Sequence, residues 1–161
     1  MTRMLSSIVT LVAVVVVIFA VLGWWSARSA PAALGLVNGR LAACDAAPNC
    51  VCSDAGEGGD STHAVAAIVL PTVDDATRWR IVREVLAASG GTVNREEQSY
   101  LHATYTSRLF RFVDDLELRM DGAQLHIRST SRVGYSDLGA NRQRVEDLRA
   151  RFNTAFAQLK P

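Results

Sequence analysis

The chain has 161 residues, 49% of them hydrophobic, and its 17 Lys and Arg against 16 Asp and Glu leave a formal net charge of +1. That length accommodates one hydrophobic leader and one domain of ordinary size. The balanced charge gives no bulk pull onto nucleic acid, and no basic, aromatic-lined surface is written into the sequence, so nucleic acid is not an expected partner.

From Ile8 to Trp25 the chain reads I-V-T-L-V-A-V-V-V-V-I-F-A-V-L-G-W-W, an uncharged run approaching the ~20 apolar residues a helix needs to cross a bilayer. A cleaved signal peptide has a shorter apolar core of about 7 to 15 residues. Length therefore favours a retained anchor over residues 1–27, in contact with the membrane through residues 8–25. Cleavage stays open as the alternative, because Ala27 and Ser29 are small enough for a signal peptidase, although Pro31 follows closely. Trp24 and Trp25 end the run where indole rings favour the headgroup level. Arg3 on one side and Arg28 and Arg40 on the other leave the orientation undecided by charge.

Residues 28–43, rich in Ala and Gly, read as a tether, and a single domain is expected over 44–161. Cys44, Cys50 and Cys52 fall in C-D-A-A-P-N-C-V-C. Cys44 and Cys50 would close a small loop turned by Pro48 and Asn49, leaving Cys52 as a spare thiol. Such a bridge requires an oxidising compartment, which places the domain on the periplasmic or outer side of the inner membrane, or in the medium if the leader is cleaved. A metal site is the poorer reading, since the spacing lacks a paired C-x-x-C and His63 lies beyond an acidic loop. Neither metal nor cofactor is expected.

Between Arg40 and Arg78 there is no basic residue. Ser53 to Thr62, S-D-A-G-E-G-G-D-S-T, reads as a mobile loop whose carboxylates do not match calcium-loop spacing. The apolar run His63 to Leu70, stopped by Pro71, predicts a strand. Asp74 or Asp75 then caps a helix through Ala88, with Trp79, Val82, Val85 and Leu86 on one stripe and Gly90-Gly91 as the stop. Thr92 to Arg95, Tyr100 to Thr106, Phe112 to Met120 and Gln124 to Ser131 predict four strands, the last two joined by a turn at Asp121-Gly122. A closing helix carries Val145, Leu148, Phe152, Ala155, Phe156 and Leu159 at three- and four-residue spacing. The expected class is α+β: an N-terminal transmembrane helix, then a mostly antiparallel sheet of about five strands packed by two helices.

Strand alternation sets Leu101, Ala103, Leu116, Leu118, Leu125 and Ile127 on one face. His102, Asp115, Glu117, Arg119, His126, Arg128, Thr130 and Arg132 share the other. If the strands pair in order, this second set forms one continuous charged surface. It reads either as a binding site or as ordinary cross-strand pairs, each contributing under about 1 kcal/mol. The stretch S-T-S-R-V-G-Y-S-D-L-G-A-N-R-Q-R from Ser129 to Arg144 adds a strand-to-helix junction. There Asp137 or Ser136 can cap the helix, and Arg132 and Arg142 can clamp a carboxylate or phosphate. The competing reading is a buried Arg, Asp and Asn network that pins helix to sheet.

C-D-A-A-P-N-C-V, F-R-F-V-D-D-L-E and R-S-T-S-R-V-G-Y-S-D-L-G-A-N-R-Q-R-V-E together resemble the domain-of-unknown-function family 1499 of bacteria and plastids, over nearly all of Cys44 to Leu159. The resemblance implies no substrate, cofactor or catalytic role. It supports Cys44 with Cys50 as the pair, since Cys52 stands where such sequences more often carry serine.

The expected function is that of a membrane-anchored envelope protein acting as a binding or docking module. Its site candidates are Arg128, Arg132, Ser136, Asp137, Asn141, Arg142, Asp115, Glu117 and His102. Its partners would be an anionic small molecule, a lipid headgroup or another envelope protein. The alternative is a hydrolase-like or other enzyme using Asp115, Glu117 or His102 beside an arginine clamp. Against that stands the absence of a nucleophile with an evident base, of H-E-x-x-H, of a P-loop and of Rossmann glycines.

Overall fold

A computed structural model describes residues 2–29, 33–54 and 60–159. The apolar run lies within one helix, α1 (Thr2–Arg28), which is long and apolar enough to cross a membrane. Two short hairpin strands follow, β1 (Leu36–Val37) and β2 (Arg40–Leu41), then β3 (Cys50–Cys52), β4 (Ile68–Val69) and helix α2 (Asp75–Ala88). The meander β5 (Thr92–Glu96), β6 (Tyr100–Thr106), β7 (Val113–Asp121) and β8 (Gln124–Ser131) leads into helix α3 (Ala140–Ala157). Among the described residues the strands of the sheet pair antiparallel, in the order β3-β8-β7-β6-β5, with β4 also on β8. The domain is thus α+β, with a six-stranded sheet and two helices against one face.

Local chemistry accounts for most boundaries. Asp74 accepts a hydrogen bond from the Thr77 amide at 2.9 Å, capping α2, and Gly90 follows its end with φ +89°. Gly122 takes φ +55° at the first central position of the β7–β8 turn, whose flanks Asp121 and Gln124 are paired. Glycine supplies that angle at no steric cost. The predicted stripes of α2 and α3 are buried against Leu101, Leu116, Leu118, Leu125 and Ile127 of the sheet. The disulfide joins Cys44 to Cys50, and Cys52 is free and buried.

The strand expected over His63–Leu70 is shorter. Only Ile68 and Val69 pair, with Leu125 and Gln124, while Ala64 makes one isolated bridge to Cys52. The edge of β8 explains this. Cys50–Cys52 already occupy it opposite Thr130–Arg128, and Ser53 fills the next place by accepting from the Ile127 amide through its hydroxyl. Of the Gly- and Asp-rich stretch, residues 55–59 lie outside the described residues, but Asp54 is buried.

The largest departure concerns the polar sheet face. It is continuous, as alternation requires, but it is not open to water. The end of α1, the segment from Ala33 to Leu41 and the Asp54 side chain lie across it, so His102, Asp115, Glu117, Arg119 and Arg128 are all under 10% exposed. Covering a charged sheet face requires each charge to find a partner.

Candidate functional site

The buried face holds three ion-pair groups side by side. Asp115 accepts from His102 Nε2 at 2.8 Å and from Arg132 Nε and Nη2 at 2.8 and 2.9 Å. Glu117, on the next outward position of β7, accepts from the Tyr100 hydroxyl at 2.7 Å, from Arg128 Nη1 at 2.5 Å and from the Gly35 amide at 2.7 Å. One position further, Arg119 donates to both carboxylate oxygens of Asp54 at 2.7 and 3.0 Å. Asp54 also accepts from the Leu41 amide at 2.9 Å. Backbone carbonyls of the covering segment accept further guanidinium protons: Arg132 donates to Ser29 O and Arg128 to Ala33 O. The network therefore fastens the segment that follows α1 to the sheet. Among the described residues only His126 Nδ1 and Arg128 Nε are buried side-chain polar atoms without a hydrogen-bond partner.

Burial alone would raise the Asp115 carboxyl, but hydrogen bonds from His102 and Arg132 outweigh it and hold it below the ordinary aspartate range. Asp54 is lowered likewise, burial being overcome by Arg119 and the Leu41 amide. Burial and the Glu117 carboxylate push the Tyr100 phenol up. Burial also pushes the Cys52 thiol up, so it stays protonated and a poor nucleophile. No group of three or more His, Cys, Asp or Glu among the described residues is arranged to hold a metal ion.

The other site candidates lie elsewhere. Asn141 sits between α3 and the helix-covered face of the sheet. Its amide donates to Asn49 O and Ser131 Oγ, and its oxygen accepts from Ser129 Oγ and Arg144 Nη1. Two donors and two acceptor positions are all a carboxamide has. Arg144 continues to Asp114 at 2.6 Å. Gly139, not Asp137 or Ser136, occupies the N-cap of α3, with φ +84°. Asp137 nevertheless supports the helix start, accepting from the Gly139 and Asn141 amides at 3.0 and 2.7 Å. Ser136 accepts from the Leu138 amide at 3.3 Å. Arg142 donates to the carbonyls of Ser61, Thr62 and Ala64, tying that loop to α3. The sheet thus separates Arg128, Arg132, Asp115, Glu117 and His102 from Asn141, and the two sets do not form one site.

A third region was not legible as a site in the sequence. The last turns of α1 are packed on the domain. Phe19 packs on Phe110 with ring centres 5.0 Å apart and planes tilted by 41°, and meets Phe112 edge-on at 6.2 Å. Gly23 is buried against the Phe110 carbonyl, which any Cβ there would overlap. The Ser26 hydroxyl donates to Val113 O at 3.3 Å and accepts from Val113 N at 2.9 Å. Between this helix end and the corner after β8 lies a groove of about 390 Å3, walled by Phe19, Leu22, Phe112, Val133, Leu138 and Ala140. At its lip Leu138 is 97% exposed and held at φ +55°. A left-handed backbone costs a non-glycine residue on the order of 1 kcal/mol, and exposing a leucine to water recovers none of it. Leu109, Tyr135, Trp24 and Trp25 are exposed as well.

The signal for this region was present but dispersed. Phe110 and Phe112 lie 91 and 93 residues from Phe19 in sequence, and nothing in the spacing links them. Asp54 is equally hidden, since in sequence it is one carboxylate among several in a polar stretch.

A search of curated proteins finds no match to this chain. A family model described as protein of unknown function matches residues 40–152, more than two thirds of the chain, and spans the disulfide, the sheet and the junction motif. On that match the chain belongs to the family DUF1499.

Proposed function

We propose that the protein is a membrane-anchored envelope module, held in a fixed pose on the bilayer surface, which acts there by binding or docking. The reading rests chiefly on the Ser26 hydroxyl, fully buried and bonded to both backbone groups of Val113. With the Phe19–Phe110–Phe112 cluster it makes the end of α1 part of the domain's packing. Cleavage after Ser29 would remove all of these contacts, together with the Ser29 carbonyl that receives Arg132. A retained α1 fits them better than a leader that is discarded.

The Cys44–Cys50 bridge supports an oxidising side for the domain. Catalysis by Asp115, Glu117 or His102 is disfavoured, because each is buried and engaged within the chain, leaving no free acid or base facing a substrate. The candidate surface is instead the apolar rim beside α1, formed by Leu109, Tyr135 and Leu138.

Two measurements test this reading. Mass spectrometry of the protein recovered from membranes should show α1 still attached; a chain beginning near residue 30 refutes the anchor. A fluorophore on Leu138→Cys should be quenched by brominated lipids at shallow depth, the other cysteines being bridged or buried. Quenching only by an aqueous quencher refutes the surface pose.

A further inference from the structure

Resting on that anchored pose, we infer that the groove beside α1 holds one acyl chain of an anionic phospholipid drawn from the surrounding bilayer. Its volume of about 390 Å3 falls within the roughly 300–1,000 Å3 of small-molecule sites. The lining suits hydrocarbon. Its apolar wall comes from both α1 and the corner after β8, and its polar groups are already used inside the chain. Ser26 is bonded to Val113, Ser107 Oγ accepts from the Phe112 amide, Asp114 pairs with Arg144, and Asp137 receives two amides. Among the described residues Asp137 is the one charged group of the lining without an ionic partner, and its oxygens are taken by the Gly139 and Asn141 amides.

Position supplies the occupant. Phe19 and Leu22 belong to the apolar run Ile8–Trp25, so the wall they form is continuous with the lipid-facing surface of the span. The 27-residue helix is about 40 Å long against a hydrocarbon core of about 30 Å, which sets its last turns and the groove at the level of the outer acyl chains and headgroups. The exposed Leu109 and Leu138, and the left-handed backbone at Leu138 and Arg111, are then explained by contact with lipid.

Charge selects the headgroup. The loop whose ends, Ser107 and Phe112, line the groove carries Arg108 and Arg111, and Arg28 stands at the end of α1. Among the described residues none of these three arginines pairs with a carboxylate, whereas Arg128, Arg132 and Arg144 do. A phosphodiester at the mouth would meet these cations while its chain entered between α1 and Val133.

The test uses the full-length chain in vesicles of phosphatidylethanolamine and phosphatidylglycerol, with a diazirine at the end of one acyl chain of a phosphatidylglycerol probe. Photolabelling should map to the peptides around 107–113 and 131–140. Val133→Trp, which fills the groove, should abolish that labelling. Leu138→Asp, at a position exposed enough to spare the fold, should lower it about tenfold, the factor for losing one leucine side chain that the acyl chain would cover. Arg108→Gln and Arg111→Gln should each weaken the preference over a phosphatidylcholine probe about fivefold. Labelling confined to α1 and unchanged in both groove variants overturns the inference, as does equal groove labelling by the two probes. Either result leaves the anchored pose standing if the Leu138 depth measurement holds, so the two proposals fail separately.

Discussion

Removing the Asp115 carboxylate separates an architectural role for the polar sheet face from a binding role. In Asp115→Ala the His102 ring loses its carboxylate partner, and the Arg132 guanidinium, with only 14% of its side chain exposed, keeps one acceptor, the Ser29 carbonyl at 3.0 Å. Breaking a buried pair from one side costs about 3–5 kcal/mol, because the surviving charge stays buried without compensation. For a protein of this size, with Tm falling about 2–4 °C per kcal/mol, the expected loss is about 6–20 °C. Thermal and urea unfolding of the detergent-solubilised full chain, followed by the fluorescence of the buried Trp79, reads it directly. Adding Arg132→Met to Asp115→Ala should restore much of the loss, since the orphaned charge is then gone as well. A loss below about 1 kcal/mol, the value of an exposed pair, would refute the enclosed network and reopen that face as a surface site.

Further outcomes follow from the same contacts. Because Asp115 and Asp54 have folded pKa values below their unfolded value of about 3.9, their stabilisation should be complete above about pH 5 and lost as pH falls below about 4 through the folded values; urea midpoints unchanged between those pH values and about pH 2.5 would contradict this. Reducing the Cys44–Cys50 bridge, which closes a loop with a sequence separation of 6, should cost about 2 kcal/mol by loop entropy, seen as a lower melting temperature with dithiothreitol. Asn141→Ala should destabilise by at least about 2 kcal/mol, since Ser129, Ser131 and Arg144 each lose a buried partner; a neutral effect would mean that the junction is not pinned through this amide. Gly23→Val should undock α1 through its overlap with the Phe110 carbonyl, raising protease cleavage between residues 29 and 40; unaltered proteolysis would count against the docked helix.

Strand alternation made both faces of the meander readable, because the side-chain period of two holds wherever strands pair in register. The stripes of α2 and α3 were readable for the matching reason at period 3.6. The six-residue spacing of Cys44 and Cys50 around Pro48 and Asn49 made the bridge readable as a turn. The fate of the polar face was not readable. Arg128, Arg132, Asp115 and Glu117 look alike in sequence whether they line an open site or a buried network. What distinguishes the two is the position of Ser29, Ala33, Gly35 and Leu41, all from a stretch whose composition reads as a tether.

Local periodicity, capping and turn chemistry thus determine, from sequence alone, the anchor-length helix, the antiparallel meander and the two packing helices. They depend on neighbours a few residues apart, and those are visible in the chain. Tertiary structure alone decides which surface of the sheet meets water, because burying charge depends on partners up to about a hundred residues away. The contact of Arg132 with Ser29 and the groove between Leu22 and Leu138 arise only once the helix end is brought against the domain.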